Sequence, residues 1–208
     1  EGVRAIAEFA RQTLSDRSAK LTLEIITNAT LITPEITAML AQIGASVVVS
    51  FDGPPSLNDR ARVTASGRGS SEKVLDGIRQ LFSIKPQLQS LGVNAVFGSH
   101  QTNVLESYLY LRSFPWDMMS FSFASSAQDE TFSPLYTEQM AKVADAAFAF
   151  GGEPELRRIS QFDQFFKILD SKTRIHNYCG AGKSLLQIDT SGNLYACNWF
   201  ANDANEIV

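Results

Sequence analysis

Val47-Val48-Val49-Ser50-Phe51-Asp52-Gly53-Pro54-Pro55 is the stretch that decides the architecture. Three valines followed closely by an aromatic give a strand that is apolar nearly throughout, as a parallel strand buried on both faces must be. The run then breaks into a carboxylate, a glycine and two prolines, which favour a turn over further strand. On either side of it, apolar strands alternate with amphipathic helices. Upstream, Leu21-Thr22-Leu23-Glu24-Ile25-Ile26 reads as a strand, and Val3, Ile6, Ala7, Phe9, Ala10 and Leu14 recur before it at helical spacing. Between the two strands, Thr33 is placed to cap a helix and Pro34 to occupy its first position. That helix carries Ile36, Met39, Leu40 and Ile43 on one face and stops at Gly44. Downstream, past a long polar loop, Ser71 caps a helix with Val74, Leu75, Ile78, Leu81 and Phe82 inward. A strand over 93–98, a helix over 104–111, a short strand over 118–123 and helices over 134–150 and 162–169 follow. Repeated strand–helix units with short connections specify a parallel α/β sheet, either a barrel or an open doubly wound sheet. Four strands precede the C-terminal hairpin, short of a closed eight-stranded barrel, which takes about 250 residues.

Composition narrows the classes. Hydrophobic residues make up 44% of the 208, enough for a full core. The net charge of −4 is dispersed, with no basic stripe of the kind that binds nucleic acid. No apolar run approaches bilayer length, and the opening Glu1-Gly2-Val3-Arg4 is no secretory signal, so no membrane partner is expected. Two cysteines are too few for a disulfide scaffold, and a reducing, cytoplasmic location is expected.

In parallel α/β proteins ligands gather at the carboxyl ends of the strands, and three such ends here are polar. They are Thr27-Asn28-Ala29-Thr30, Ser50-Phe51-Asp52-Gly53 with Asn58-Asp59-Arg60-Ala61-Arg62 beyond it, and Gly98-Ser99-His100-Gln101-Thr102-Asn103. A hydroxyl and a carboxylate alternating at Ser50 and Asp52 suit ribose hydroxyls or an amino-acid ammonium; the plainer reading is a turn and a strand-end cap. His100 is either a proton carrier or a strand-end hydrogen bond. Phe121 and Phe123 alternate with Ser120 and Ser122, with the register unsettled. Phe162, Phe165 and Phe166 read as core or a domain interface. At the far end, an apolar strand and a second short strand flank the turn 189–193, so Cys179 and Cys197 come to one end of a hairpin. Such a pair can be half of a metal site, a disulfide or two inert thiols.

Five segments, in order, carry a family resemblance. Thr27-Asn28-Ala29-Thr30-Leu31-Ile32 resembles the "TNGTLL" of radical S-adenosylmethionine (radical SAM) enzymes, with Ala29 for glycine. Ser50-Phe51-Asp52-Gly53-Pro54 resembles their "SLDGP", and Asn58-Asp59-Arg60-Ala61-Arg62 their "HDxxR", with Asn58 for histidine. Gly67-Arg68-Gly69-Ser70-Ser71 is similar to the "GxGS" opening the next helix. Cys179, Gly192 and Cys197, in a C-x12-G-x4-C pattern, resemble the start of a SPASM domain.

The resemblance implies a partial (β/α)6, TIM-like barrel of radical SAM type over 1–150, a helical linker over 151–175 and the opening β-hairpin of a SPASM domain over 176–208. It implies an oxidoreductase that matures peptides: reductive cleavage of S-adenosylmethionine to a 5′-deoxyadenosyl radical, then hydrogen abstraction from a peptide or protein side chain. The outcome would be oxidation or crosslinking, with a leader peptide as a further partner and flavodoxin or ferredoxin as electron donor. The cofactor-side residues it implies are Ser50, Asp52, Thr27 and Asn28, with Asp52 alternatively bracing the turn and Asn28 an Asx-turn. Cys179 and Cys197 become ligands of an auxiliary [4Fe–4S] cluster, with His176 beside them as a donor or a linker residue. The C-x3-C-x2-C that holds the radical cluster is absent from these 208 residues, as are the first two strands, so this segment alone is expected to be inactive. A "GGEP" at Gly151-Gly152-Glu153-Pro154 is out of the family's order and reads as a loop or helix start. Asp59 and Arg62 are expected to form an ion pair pinning their loop. The alternative function is a non-catalytic peptide-binding barrel that lacks the radical cluster.

Overall fold

The computed structural model describes residues 2–15, 21–98, 101–124, 132–172, 187–188, 191 and 193–197. The chain divides into two compact units, Glu1–Phe165 and Phe166–Val208, a boundary inside the segment expected as a linker.

The first unit opens with α1 (Gly2–Leu14), then β1 (Glu24–Thr27), α2 (Pro34–Ile43), β2 (Ser46–Ser50), α3 (Pro55–Ala61), α4 (Ser71–Ser83), β3 (Ser90–Phe97), α5 (Val104–Leu111), β4 (Met118–Phe123) and α6 (Phe132–Leu156). The helix α7 (Ser160–Ser171) runs across the boundary. Of the phenylalanine cluster expected as core or a domain interface, Phe162 packs on the core and Phe165 is exposed. In the second unit β5 (Gln187–Ile188) and β6 (Leu194–Tyr195) pair antiparallel, at the expected hairpin.

The four main strands are parallel and lie in chain order, β1-β2-β3-β4. The order runs without reversal, so these four strands contain no switch point. The residues alternate strictly between the two faces. Val47, Val49, Leu91, Val93, Ala95, Phe97, Met119 and Phe121 form one face and are buried in the core with α2, α4, α5 and α6. Phe51 extends this face beyond β2 and meets Tyr110 of α5 edge-on, with ring centroids 6.2 Å apart.

The loop expected after β2 needed revision: it contains α3, which the proline pair Pro54-Pro55 obscured, with Pro54 in the N-cap position and Pro55 beginning the helix, where a missing N–H costs nothing. The loop or helix start expected at 151–154 is found: α6 is two helices joined at Gly152, whose φ of 65° and ψ of −148° are non-helical. Pro154 sits just past the break, so the out-of-order "GGEP" is a helix restart. Glu155 of that restart is buried, accepting from Tyr108 Oη at 3.2 Å and Arg158 Nη1 at 2.7 Å. Burial, then the Glu155 charge, push the Tyr108 hydroxyl up to about 12.

The outer edge of β4 is occupied. Met119 N–H donates to Arg158 O at 2.7 Å, and the Gln161 side-chain amide pairs with Phe121 as a strand residue would, accepting its N–H at 3.2 Å and donating to its carbonyl at 2.9 Å. A side chain thus satisfies backbone groups that an open edge would leave unpaired.

Candidate functional site

The carboxyl ends of β1 and β2 are built by short polar side chains acting on the backbone. Thr27 Oγ1 accepts from Ala29 N–H at 3.1 Å, and Asn28 Oδ1 accepts from Thr30 N–H at 3.1 Å and Thr30 Oγ1 at 2.9 Å, an Asx-turn. Between them Ala29 holds a left-handed backbone, φ 57°, where a glycine is the relaxed choice. Its carbonyl faces Gly77 of α4 so closely that a Cβ there would lie 2.1 Å from the oxygen. Gly77 therefore sets how near α4 approaches the β1 loop.

Beyond β2, Asp52 is 2% exposed and its carboxylate is fully engaged. Arg62 donates to both oxygens, Nε to Oδ2 at 2.7 Å and Nη2 to Oδ1 at 2.8 Å, and Val96 N–H donates to Oδ1 at 2.9 Å. The Asp52 N–H donates to Asn58 Oδ1 at 3.2 Å, and its carbonyl accepts from Ser107 Oγ at 2.6 Å. One residue thus ties β2 to α3, β3 and α5. Gly53, at φ 134°, admits Ser107: a Cβ would stand 2.7 Å from that hydroxyl.

The expected Asp59–Arg62 ion pair does not form. Arg62 follows the last turn of α3 in a non-helical conformation, φ −103° and ψ 88°, which turns its side chain toward Asp52. Asp59 is committed elsewhere: its Oδ1 accepts from Ser71 N–H at 2.9 Å, Ser71 Oγ at 2.6 Å and Asn58 Nδ2 at 3.1 Å. It is Asp59, from the neighbouring helix, that caps α4, while Ser71, expected as the cap, is the first helical residue. Burial pushes the Asp59 carboxyl up, but the hydrogen bonds from Ser71, Asn58 and Ser70 outweigh it and hold it below its ordinary value. Gly69 is required for this approach, since a Cβ there would fall 2.2 Å from Asp59 Cγ.

Between these loops lies a cleft of ≈ 370 Å³ lined by Asn28, Thr30, Ser50, Arg62, Ser70 and Lys73 among others. Of the four residues expected on the cofactor side, Asn28 and Ser50 line it, while Thr27 and Asp52 brace it from behind. No carboxylate lines the cleft, the Arg62 charge is matched by Asp52, and Lys73 makes no ion pair with a described residue. The cleft therefore offers hydroxyls, an amide and one uncompensated cation, which suits a ligand with hydroxyls and a carboxylate or phosphate. Lys73 escaped sequence reading because an exposed lysine in a first helical turn looks like any solvated charge; the adjoining "GxGS" resemblance was the available signal.

From Ser50 the site continues along the sheet face opposite the core. There the register places Ile26, Val48, Gly92 and Met118 in one row and Ser50, Asn94 and Ser120 in the next, with Val96 and Ser122 above. Ser120 and Ser122 thus share the face of Ser50, which decides the register the sequence left open. Ile26 is 67% exposed, and neither Val48 nor Val96 joins the buried core.

Cys179, His100 and His176 lie outside the described residues. Cys197, just past β6, is half-buried. Among the described residues no three His, Cys, Asp or Glu side chains gather as a metal site.

No protein-family model and no curated protein matches the chain. Solved structures do. The chain is similar to anSMEcpe with bound AdoMet, with a TM-score of 0.77 and 16% identity over 94% of this chain and 55% of that one. It is likewise similar to anSMEcpe with bound AdoMet and Cp18Cys peptide, with a TM-score of 0.74, 16% identity, and 96% and 58% of the two chains. SuiB of Streptococcus suis bound to S-adenosylmethionine gives a TM-score of 0.64 and 15% identity over 99% of this chain and 47% of that one. At such identities the likeness is one of fold. The chain spans about half the length of these solved proteins.

Proposed function

We propose that this chain is part of a radical SAM enzyme that modifies a peptide or protein side chain, and that the cleft beside Ser50 receives S-adenosylmethionine. The observation that carries the reading is the cleft itself: hydroxyls and an amide at the carboxyl ends of β1 and β2, with Lys73 of α4 beside them making no ion pair with a described residue, on a fold shared with two proteins solved with that cofactor. The motif resemblance points independently to the same strand ends, and the Cp18Cys-bound neighbour supports a peptide as the substrate class.

When bound and reduced by one electron, S-adenosylmethionine supplies a 5′-deoxyadenosyl radical that takes a hydrogen atom from the substrate. The residues of this chain bind and orient. Ser50 and Asn28 offer hydrogen bonds from two adjacent strand ends, and Lys73 offers a positive charge for the methionine carboxylate. Asp52 acts through Arg62 and the β3 backbone, fixing the loop that forms one wall. The reading also assigns Cys179 and Cys197 to an auxiliary iron–sulfur cluster, as the resemblance of 179–197 to the start of a SPASM domain implies. The same reading takes a flavodoxin or ferredoxin as the electron donor and the cytoplasm as the location.

The test is made on the full-length protein, purified without oxygen: iron and sulfide per chain, and 5′-deoxyadenosine formed from S-adenosylmethionine under a reductant. Iron together with 5′-deoxyadenosine is the expected result. Iron without cleavage would leave a binding module in its place. Failure to bind S-adenosylmethionine at all overturns the reading of the cleft.

A further inference from the structure

The third polar strand end, 98–103, contributes no described residue to the cleft, yet it holds a side chain whose state needs a reason. Gln101 is 3% exposed, and neither its amide nitrogen nor its amide oxygen meets a hydrogen-bond partner among the described residues. It is the one described residue with both a side-chain donor and a side-chain acceptor buried in this way. Buried polar groups are nearly always paired, and one that is not carries the full cost of its lost water. For packing alone, a methionine would fill the same space without that cost.

Gln101 follows β3 and precedes α5, on the rim where the parallel strands end. It is bridged antiparallel to Gly98: Gln101 N–H donates to Gly98 O at 2.8 Å, and Gly98 N–H donates to Gln101 O at 3.3 Å. Gly98 falls one residue past Phe97 of the core face, and residues paired in this way share a face. Gln101 therefore belongs to the open side of the sheet.

The protein itself shows what a carboxamide can hold at a strand. Gln161 accepts the Phe121 N–H at 3.2 Å and donates to the Phe121 carbonyl at 2.9 Å, so one side chain engages both backbone groups of one extended residue. Those two groups point the same way, as they do toward a neighbouring antiparallel strand. Gln101 carries the same donor and acceptor with no described residue to engage.

We infer that Gln101 holds one extended residue of the substrate peptide by its backbone N–H and C=O, as Gln161 holds Phe121. The inference rests on the proposed function, which supplies the peptide, and deepens it by naming a residue that reads backbone whatever the side chain there. A neutral amide offers one donor and one acceptor side by side, which matches a peptide residue and not an ion. The head of Gln101 is covered in the free protein, so the peptide draws it out to the rim. Two hydrogen bonds gained by groups that have no water to give up favour that movement.

The experiment uses the full-length protein and a random-sequence peptide library as the probe. The best binder is remade with an ester in place of each amide in turn, which removes one backbone N–H at a time. For the wild-type protein, an ester at one position is expected to weaken binding about tenfold, the loss of one hydrogen bond. Gln101→Met is expected to bind the unaltered peptide about tenfold more weakly and to respond to that ester within about twofold, since the two changes remove the same interaction. Its melting temperature is expected to match or exceed that of the wild type, because an unpaired buried amide gives way to an apolar side chain of similar length. A lower melting temperature, or a variant that does not fold, marks Gln101 as structural and overturns the inference. An ester effect undiminished in Gln101→Met, or no sensitive position in the wild type, overturns it as well. If the wild-type protein binds no peptide, the peptide-modifying reading falls first, so the two failures are distinguishable.

Discussion

Arg62 and Asp52 show how much of this site is settled one side chain at a time. Asp52 is almost wholly buried while Arg62 is about a quarter exposed, so the pair is a charge brought indoors by a partner that still reaches water. Removing the partner leaves the carboxylate, among the described residues, with only the Val96 N–H. Arg62→Ala is therefore expected to destabilise the protein by about 3 kcal/mol, the lower end for breaking a buried pair, as read by denaturant unfolding. Arg62→Lys should recover only part of this, because a lysine cannot hold both oxygens in a fork. An unchanged midpoint for Arg62→Ala would mean that water already solvates Asp52. The sequence marked both residues yet gave Arg62 the wrong carboxylate: Asp59 is nearer along the chain, but Asp52 is what Arg62 faces once α3 has ended.

At the scale of elements, two glycines govern how α4 is seated. Gly69 lets Asp59 reach the start of the helix, and Gly77 lets its second turn meet the Ala29 carbonyl. Backbone cannot yield as a flexible side chain would, so Gly77→Ala is expected to cost about 1–3 kcal/mol by overpacking. It should also weaken S-adenosylmethionine binding, since α4 carries Lys73 and Val74 on the cleft lining. Thermal melts and calorimetry check the two effects, and a variant as stable as wild type would show that α4 can shift freely. Most helices and strands were legible from apolar periodicity, with α5 and β4 found at their expected limits. The helix α3 was not legible: its seven residues are too few to show a period, and its prolines looked like turn residues.

For the whole molecule, a ligand that binds only the folded chain must raise its stability by mass action. S-adenosylhomocysteine at a hundred times its Kd is expected to add about 2.7 kcal/mol to the unfolding free energy of the full-length protein. A ligand-independent melting temperature would count against a site in the native fold. No helix among the described residues is long and apolar enough to cross a membrane. Strand direction matters at this scale too, because the parallel pairing of β1 to β4 puts their carboxyl ends on one rim, where Asn28 and Ser50 lie.

The sequence by itself determined the α/β class, the parallel strands and the rim on which chemistry would gather. These follow from local periodicity and from residue types that can only turn or cap, and both are properties of neighbours along the chain. Only the tertiary structure decided that Asp52 braces while Ser50 faces the cleft, that Arg62 chooses Asp52 over Asp59, and that Asn94 joins Ser50 on the open face. Those outcomes depend on strand register and on how closely two helices approach a sheet. Such distances are set between residues far apart in sequence, by burial and hydrogen bonding, and no local pattern encodes them.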